Sequence, residues 1–185
     1  MRRVALYGGS FDPPHNAHVL IATWVVCMGF DEVRLIPVYE HAFGKRLAPF
    51  ETRCAMLADA TRHLGSRVVI ERIEAELPGP SYTVDTVRAL LVREADLELT
   101  LVMGTDTWAQ RTKWREWAAL EELIGGRVVV LGRAGFSDPE DVTVDVHLPE
   151  LSSSEIRRRV AAGEPYGWMV PEAVQARIER ERLYT

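Results

Sequence analysis

The sequence predicts an α/β fold in which a doubly wound, mostly parallel sheet carries helices on both faces. Short apolar runs suited to strands alternate along the chain with helical patterns, and strands separated by helices form parallel crossovers. A glycine pair, Gly8-Gly9, directly follows the first apolar run. Ligands in such sheets bind beyond the carboxyl ends of the strands, so this turn marks the expected site. The length of 185 residues fits a single domain.

The first half of the chain supplies three of the predicted strands. In order, we expect a strand over 4–7, a helix over about 16–28, a strand over 33–38, a loop over 39–48, a helix from Pro49 to about 64, and a strand over 68–70. The first helix is apolar nearly all round, which predicts that it is buried, and Gly29 ends it.

The second half supplies three more strands and several helices. In order, we expect a helix over 81–94, a strand over 97–103, a turn or short helix over 104–115, a helix over 116–124, a strand over 127–131, a strand over 142–146, and helices over about 153–162 and 171–182. The run over 142–146 alternates polar and apolar residues, which favours an edge strand.

Composition and charge limit the function classes. The net charge of −5 argues against a nucleic-acid partner held by a general basic field, while a small anion held by a local cluster stays compatible with it. The apolar runs over 4–7 and 19–30 are too short for a signal peptide or a membrane span, so we expect a cytoplasmic protein without a membrane partner. Cys27 and Cys54 lie in apolar helical patterns and are predicted to be buried free thiols.

The most distinctive stretch reads GGSFDPPHNAH and runs from Gly8 to His18. A strand, a glycine turn and a helix N-terminus in that order bring backbone N–H groups and the positive end of a helix dipole to one point. His15 and His18 are three residues apart, so both can face one side of a helix that begins near Asn16. The stretch predicts a phosphate site, and the alternative is a plain turn with two surface histidines.

Gly104, Asp106 and Trp114 follow the fourth predicted strand. A glycine and a carboxylate just beyond a strand can hold ribose hydroxyls, although a simple turn with a helix cap gives the same pattern. Trp114 precedes the next predicted helix and is free to stack on a planar ring, whereas Trp117 fits a core stripe.

Serines and threonines stand at the start of two predicted helices. In PSYTVDT (80–86), either Ser81 or Thr83 can serve as a simple N-cap. In LSSSEIR (151–157), Ser152 and Glu155 have the spacing of a capping box. The hydroxyls, the N–H groups and Arg157 can equally hold phosphates, and the pairing with GGSFDPPHNAH favours this functional interpretation.

Together these segments resemble one enzyme family. GGSFDPPHNAH is similar to the G-x-F-D-P-x-H-x-G-H motif of the nucleotidyltransferase superfamily, with Ala17 at the usual second glycine, and LSSSEIR is similar to its I-S-S-T-x-I-R motif. PSYTVDT and the pattern G-x-D…W-x-x-W are similar to bacterial nicotinate-nucleotide adenylyltransferases, so the resemblance covers nearly the whole chain. The loop over 39–48 departs from the family's P-P-H-K, and His41 and Lys45 are the candidates for its role.

The resemblance implies adenylyl transfer from ATP to nicotinate mononucleotide, which gives nicotinic acid adenine dinucleotide and pyrophosphate in NAD biosynthesis. It implies one Rossmann-like nucleotidyltransferase domain over 1–185, whose C-terminal helices (about 153–185) complete the ATP site. Mg²⁺ would be carried mainly by the ATP phosphates, without a protein-built metal site. The acceptor phosphate, with a second pKa of about 6, needs no general base, so the remaining task is alignment and neutralisation of charge.

The resemblance also assigns site residues. His18 is expected at the α-phosphate, with His15 and Lys45 at the more distal phosphates and Arg157 at their far end. The catalytic candidates are His15, His18 and Arg157. The ATP-binding candidates are Gly8, Gly9, Ser10, Phe11, His15, His18, Lys45, Gly104, Asp106, Ser153, Ser154 and Arg157. The acceptor-binding candidates are Ser10, Phe11, Tyr82, Thr83, Trp114 and Arg115. Asp12 is expected to orient either His15 or a metal-bound water.

Three alternatives stay open on sequence grounds. The acceptor can be nicotinamide mononucleotide or another phosphorylated molecule, such as phosphopantetheine or glycerol phosphate. The chain can instead be a nucleotide-binding regulator without catalysis, although the two histidines and Arg157 speak against this. A hydride-transferring enzyme fits worst, because Gly8-Gly9-Ser10-Phe11 does not match G-x-G-x-x-G. Among these, the sequence favours ATP and nicotinate mononucleotide as ligands.

Overall fold

A six-stranded parallel sheet forms the centre of the protein. The computed structural model describes residues 1–41, 44–133, 135–142 and 144–185. The strands are β1 (Arg2–Gly9), β2 (Glu32–Pro37), β3 (Val68–Ile70), β4 (Leu97–Gly104), β5 (Val128–Arg133) and β6 (Val144–Leu148). They lie in the order β3-β2-β1-β4-β5-β6, and every neighbouring pair is parallel. The predicted fold class is confirmed, with β6 at the edge as expected.

Helices cover both faces of this sheet. They are α1 (Asn16–Cys27), α2 (Phe50–Thr61), α3 (Thr83–Arg93), α4 (Thr105–Trp108), α5 (Trp117–Leu123), α6 (Ser153–Ala161) and α7 (Glu172–Glu181). One face packs on α3 and α5 through a cluster that includes Val87, Leu90 and Leu120. The other face packs on α1 and α2 through Ile21, Val25 and Leu57. Within the part of the chain that the structure describes, no helix is long and apolar enough to cross a membrane.

A third apolar cluster fixes the two C-terminal helices. Ile156 on α6 and Val174 and Ile178 on α7 pack against Met56 and Ala60 of α2. The hydroxyl of Ser153, at the start of α6, donates to the carbonyl of Pro13 at 2.9 Å. The cluster therefore holds the N-terminus of α6 against the loop that follows β1.

Several sequence expectations need correction. The first helix is not buried all round, because Leu20 is 50% exposed and Met28 39% exposed on its outer side. Cys27 lies on that exposed side, while Cys54 is buried, so the prediction of two buried thiols was wrong for Cys27. Neither Ser81 nor Thr83 caps α3, whose N-cap residue is Tyr82 without a side-chain bond. Residues 42–43 of the expected loop and residue 143 of the expected sixth strand lie outside the described residues.

Candidate active site

A cleft of about 600 Å³ opens at the carboxyl edge of the sheet. Its walls include Gly8 and Gly9 at the end of β1, Gly104 at the end of β4 and Arg133 at the end of β5. The strand order reverses direction between β1 and β4, and such a switch point leaves a crevice between crossovers that run to opposite faces. The predicted site residues line this cleft, apart from Tyr82, Arg115 and Arg157.

The loop after β1 has an uncommon backbone course. Phe11 adopts a φ of +47°, which few residues other than glycine adopt, and its side chain is only 1% exposed. The ring of Phe11 covers Gly9 so closely that a Cβ there would lie 3.1 Å from it. A glycine at position 9 therefore lets the aromatic ring form the floor of the turn.

Arg53 on α2 holds this loop from behind. The residue is 1% exposed, and its guanidinium donates to the carbonyls of Ser10 at 2.9 Å, Val38 at 2.8 Å and Ala48 at 2.9 Å. It ties the turn after β1 to both ends of the segment between β2 and α2. A buried cation that is satisfied by three carbonyls fixes the backbone on which the site is built.

The two histidines stack at the start of α1. Their ring centroids are 3.7 Å apart with 18° between the planes, and Phe11 meets the His18 ring edge-on at 4.9 Å. The backbone N–H of His15 donates to Nδ1 of His18 at 3.1 Å. Nδ1 of His18 is therefore an acceptor, which assigns the proton of the neutral ring to Nε2. Nε2–H is left as a donor for a ligand.

Both imidazoles are neutral near pH 7 in the unliganded cleft. Burial, with the nearby charges of His15 and Arg133, holds the pKa of His18 well below its usual value of 6.5. Burial and Arg133 lower the pKa of His15 to about 4. The pair thus offers neutral hydrogen-bond donors, and the positive charge of the site comes from other groups.

Among the residues that the structure describes, the lysine and arginine side chains that line the cleft are Lys45 and Arg133. Nη1 of Arg133 lies 2.6 Å from Oδ2 of Asp106, and the backbone N–H of Arg133 donates to Oγ1 of Thr105 at 3.0 Å. The Asp106 side chain folds back over Gly104, where a Cβ would come within 2.6 Å of its Oδ1. Glycine at 104 thus permits the Asp106–Arg133 pair.

Three helix N-termini supplement these charges. His18 in the first turn of α1, Ser153 and Ser154 in the first turn of α6, and Thr83 at the start of α3 all line the cleft. The first N–H groups of a helix have no partner within it, and the dipole makes that end positive. Ser152 caps α6 by accepting from the N–H of Glu155 at 3.1 Å, so the predicted N-cap is confirmed.

The cleft is also lined by Trp114, Thr83, Ser81 and Glu74. The carboxylate of Glu74 accepts from the N–H of Tyr39 at 3.1 Å and from the hydroxyl of Thr86 at 3.0 Å, and burial raises its pKa. These bonds join the segment after β2 to the start of α3. The backbone N–H of Trp114 donates to the carbonyl of Arg111 at 3.0 Å, so it is already bonded within the chain.

Three predicted residues lie outside the cleft wall. Arg115 stacks on the ring of Tyr82, with 4.8 Å between its guanidinium carbon and the ring centroid. Nη1 of Arg157 donates to the carbonyl of Asp12 at 2.5 Å, and Nη2 donates to Oγ of Ser154 at 3.3 Å. Arg157 therefore reaches the cleft through Ser154.

No group of three or more His, Cys, Asp or Glu side chains within the described ranges is arranged to hold a metal ion. Asp106, a carboxylate that lines the cleft, is paired with Arg133. Oxygen-seeking cations such as Mg²⁺ are commonly held by one or two carboxylates together with substrate phosphates.

Sequence reasoning missed Arg53, Glu74 and Arg133. Arg53 sits next to Cys54 in the inward stripe of α2, and a charge at an inward position is a usable signal. Arg133 is the last residue of an apolar strand, at the edge of the sheet where ligands bind. A cation at that position is also a signal that the sequence contains. Nothing local marks Glu74, because its role depends on partners brought together by packing.

Comparisons with known proteins agree with the geometry. A family model described as cytidylyltransferase-like matches residues 6–159. A protein of Anaeromyxobacter dehalogenans, named probable nicotinate-nucleotide adenylyltransferase, is 41% identical over 187 residues and covers 99% of this chain and 97% of its own length. A Myxococcus xanthus protein of the same name is 39% identical over 184 residues, covering 98% of this chain and 94% of its own length.

The fold is similar to that of solved structures. The nicotinic acid mononucleotide adenylyltransferase of Plasmodium falciparum, complexed with NaAD, superposes with a TM-score of 0.83 at 18% identity and covers 100% of this chain and 98% of its own. The same enzyme complexed with APC gives a TM-score of 0.80. At this identity the likeness concerns the fold.

Proposed function

The chain belongs to the nicotinate-nucleotide adenylyltransferase family within the cytidylyltransferase-like proteins, and we propose that it transfers the adenylyl group of ATP to nicotinate mononucleotide. The products are nicotinic acid adenine dinucleotide and pyrophosphate. The observation that carries the proposal is a single cleft with two chemically different ends. One end gathers His18, His15, Arg133 and the start of α6. The other carries Trp114 and the start of α3, which pack on the opposite face of the sheet from Phe11 and the histidine beside it.

The first end suits a triphosphate. Nε2–H of His18 is a neutral, pre-oriented donor, which suits a non-bridging oxygen on the α-phosphorus, where charge grows during transfer. His15, Lys45 and Arg133 surround the space for the more distal phosphates, with Ser153 and Ser154 at the start of α6. Arg157 supports that side through its bond to Ser154.

The reaction requires alignment of two anions. An oxygen of the acceptor phosphate forms a bond to the α-phosphorus while the bond to the oxygen that bridges to the β-phosphorus breaks, and pyrophosphate leaves. The acceptor is largely ionised at neutral pH, since its second pKa is about 6, and no general base is needed. The family generally uses a divalent metal with ATP. We propose Mg²⁺ carried by ATP, which offsets phosphate charge, while this chain holds and orients the two substrates.

The second end suits a pyridine ring with a carboxylate. Trp114 is partly buried and lines the cleft, and its ring meets that of Trp117 edge-on with 6.1 Å between centroids, so we assign it to stack on the pyridine ring. The Thr83 hydroxyl, the first N–H groups of α3 and the nearby Arg115 favour a negative substituent. Glu74 lies on the same part of the cleft lining, and its two oxygens accept from the N–H of Tyr39 and the hydroxyl of Thr86.

We expect nicotinate mononucleotide to be adenylylated with a kcat/KM at least about 10-fold above that for nicotinamide mononucleotide. The carboxamide of nicotinamide mononucleotide would place an N–H group against the donors of Thr83 and α3, which require an acceptor. The test incubates the protein with ATP, Mg²⁺ and each phosphorylated acceptor in turn, and dinucleotide and pyrophosphate are measured. Equal values for the two pyridine nucleotides, or a preference for the amide, would reject a site that selects the carboxylate. ATP binding without any product would support a regulator.

Trp114→Ala should raise the KM of both pyridine acceptors and leave the KM of ATP unchanged, because the ring is common to both acceptors and remote from the phosphates. Trp168→Ala is the matched control, since Trp168 is 61% exposed and does not line the cleft. An unchanged acceptor KM in Trp114→Ala would remove this residue from the acceptor site.

A further inference from the structure

Asp12 lies within the loop after β1, yet its carboxylate does not line the cleft. The residue is 2% exposed. Oδ1 accepts from the hydroxyl of Tyr184 at 2.7 Å and from the N–H of Ala48 at 3.2 Å, and Oδ2 lies 3.8 Å from Nη1 of Arg157. Neither of the expected roles for Asp12, orienting His15 or a metal-bound water, matches these partners. The buried carboxylate instead connects the loop after β1 to Ala48, Tyr184 and Arg157.

The loop around Asp12 depends on such contacts. Its carbonyls at Ser10, Asp12 and Pro13 accept from Arg53 of α2 and from Arg157 and Ser153 of α6, so two helices hold the loop. The same loop carries Phe11 at a positive φ, and His15 follows it directly. Side chains from elsewhere, and not helix or strand bonds, thus set the course of the loop. Because Asp12 is only three residues before His15, a change in the contacts of Asp12 alters the backbone that positions the histidine pair.

Tyr184 comes to Asp12 along a defined path. Helix α7 ends at Glu181, and its C-cap Arg182 has a φ of +50°. The N–H of Leu183 donates to the carbonyl of Ile178 at 3.0 Å, which is a helix-terminating bond. Tyr184 has a φ of +64°, and its ring packs with Leu183 against the cluster of α2, α6 and α7. The hydroxyl then bridges to a residue 172 positions earlier.

We propose that Tyr184 is a positioning residue for adenylyl transfer: its hydroxyl orients Asp12 and thereby holds the loop that presents Phe11 and His15. Burial and the neighbouring Asp12 charge raise the pKa of the Tyr184 phenol, so the hydroxyl stays protonated and donates across the working pH range. This inference rests on the proposed function, because the effect of Tyr184 on the loop is measured through the rate of adenylyl transfer.

Tyr184→Phe removes the hydroxyl and keeps the ring packing. We expect kcat to fall by about 10-fold, the scale for a small misplacement of reacting groups, with an unchanged KM for the pyridine acceptor and an unchanged number of ATP sites titrated. Tyr166→Phe is the matched control, because Tyr166 packs against the same cluster and makes no bond to Asp12. Its kcat should stay within about 2-fold of the wild type.

A double-mutant cycle separates positioning from a general loss of structure. In an Asp12→Asn background, Tyr184→Phe should cost less than about 2-fold, because the hydroxyl acts through Asp12. A normal kcat in Tyr184→Phe, or the same loss in both backgrounds, would overturn the proposal. All rates are taken relative to the wild type with whichever phosphorylated acceptor it adenylylates, so an error in the nicotinate assignment leaves this test intact.

Discussion

Replacing His18 by alanine should lower kcat by about 100-fold or more, the scale for losing one preorganised donor at a developing negative charge. The ring is fixed by the N–H of His15 on Nδ1 and by the edge contact with Phe11, so Nε2–H costs no reorganisation during the reaction. The fold should survive, which circular dichroism and thermal unfolding will show. A folded variant with near-normal turnover would remove His18 from the reaction.

His18→Gln distinguishes a neutral donor from a charged one. Burial, together with His15 and Arg133, keeps the pKa of His18 well below 6.5, so the wild-type ring acts in its neutral form. A glutamine amide is also a neutral donor and should retain more activity than alanine. The rate should fall as the pH drops below about 6, where the acceptor phosphate gains a proton, and the glutamine variant should keep this acid limb. A glutamine variant as slow as the alanine variant would indicate that a charged ring is needed.

Arg133→Ala should reduce kcat/KM for ATP by about 100-fold, for two reasons. The variant loses a guanidinium at the phosphate end of the cleft, and it leaves the Asp106 carboxylate without its 2.6 Å partner facing an anionic ligand. Steady-state kinetics with ATP varied at saturating acceptor measures the effect.

Arg111→Ala is the control for Arg133, because Arg111 pairs with Asp141 at 2.7 Å outside the cleft and carries the same charge. Adding Asp106→Asn to Arg133→Ala should recover part of the ATP affinity by removing the unpaired carboxylate. Two results together would show that Arg133 does not contact the nucleotide. The double variant would recover no ATP affinity, and Arg133→Ala would lose no more kcat/KM for ATP than Arg111→Ala.

The parts of the site that sequence reasoning predicted are those that local backbone geometry encodes. Gly8, Gly9 and the histidines mark a strand end and a helix start, and Ser153 and Ser154 mark another helix start. Strand ends and the helix starts that follow them lie at the carboxyl edge of a parallel sheet, whatever the course of the rest of the chain. The fold class followed for the same reason, since alternating strands and helices leave few topologies.

The remaining parts depend on pairings between distant segments. Tyr184 and Asp12 are 172 residues apart, and Arg53 and Ser10 are 43 apart, so neither bond has a local signal. Arg157 was predicted to face the nucleotide directly, but the carbonyl of Asp12 holds one of its nitrogens and only Ser154 connects the other to the cleft. Side-chain direction at such positions is decided by packing and by the demand that buried polar groups be satisfied.

We infer that the cleft aligns ATP and the acceptor for direct transfer, with no side chain that takes the adenylyl group. Exchange of labelled pyrophosphate into ATP tests it most directly. Without acceptor, the protein with ATP and Mg²⁺ should incorporate no label, because no covalent adenylyl-enzyme forms. With nicotinate mononucleotide present, label should enter ATP through reversal of the complete reaction. Label entering ATP at a rate comparable to turnover in the absence of any acceptor would contradict the account, since it would require an adenylylated side chain.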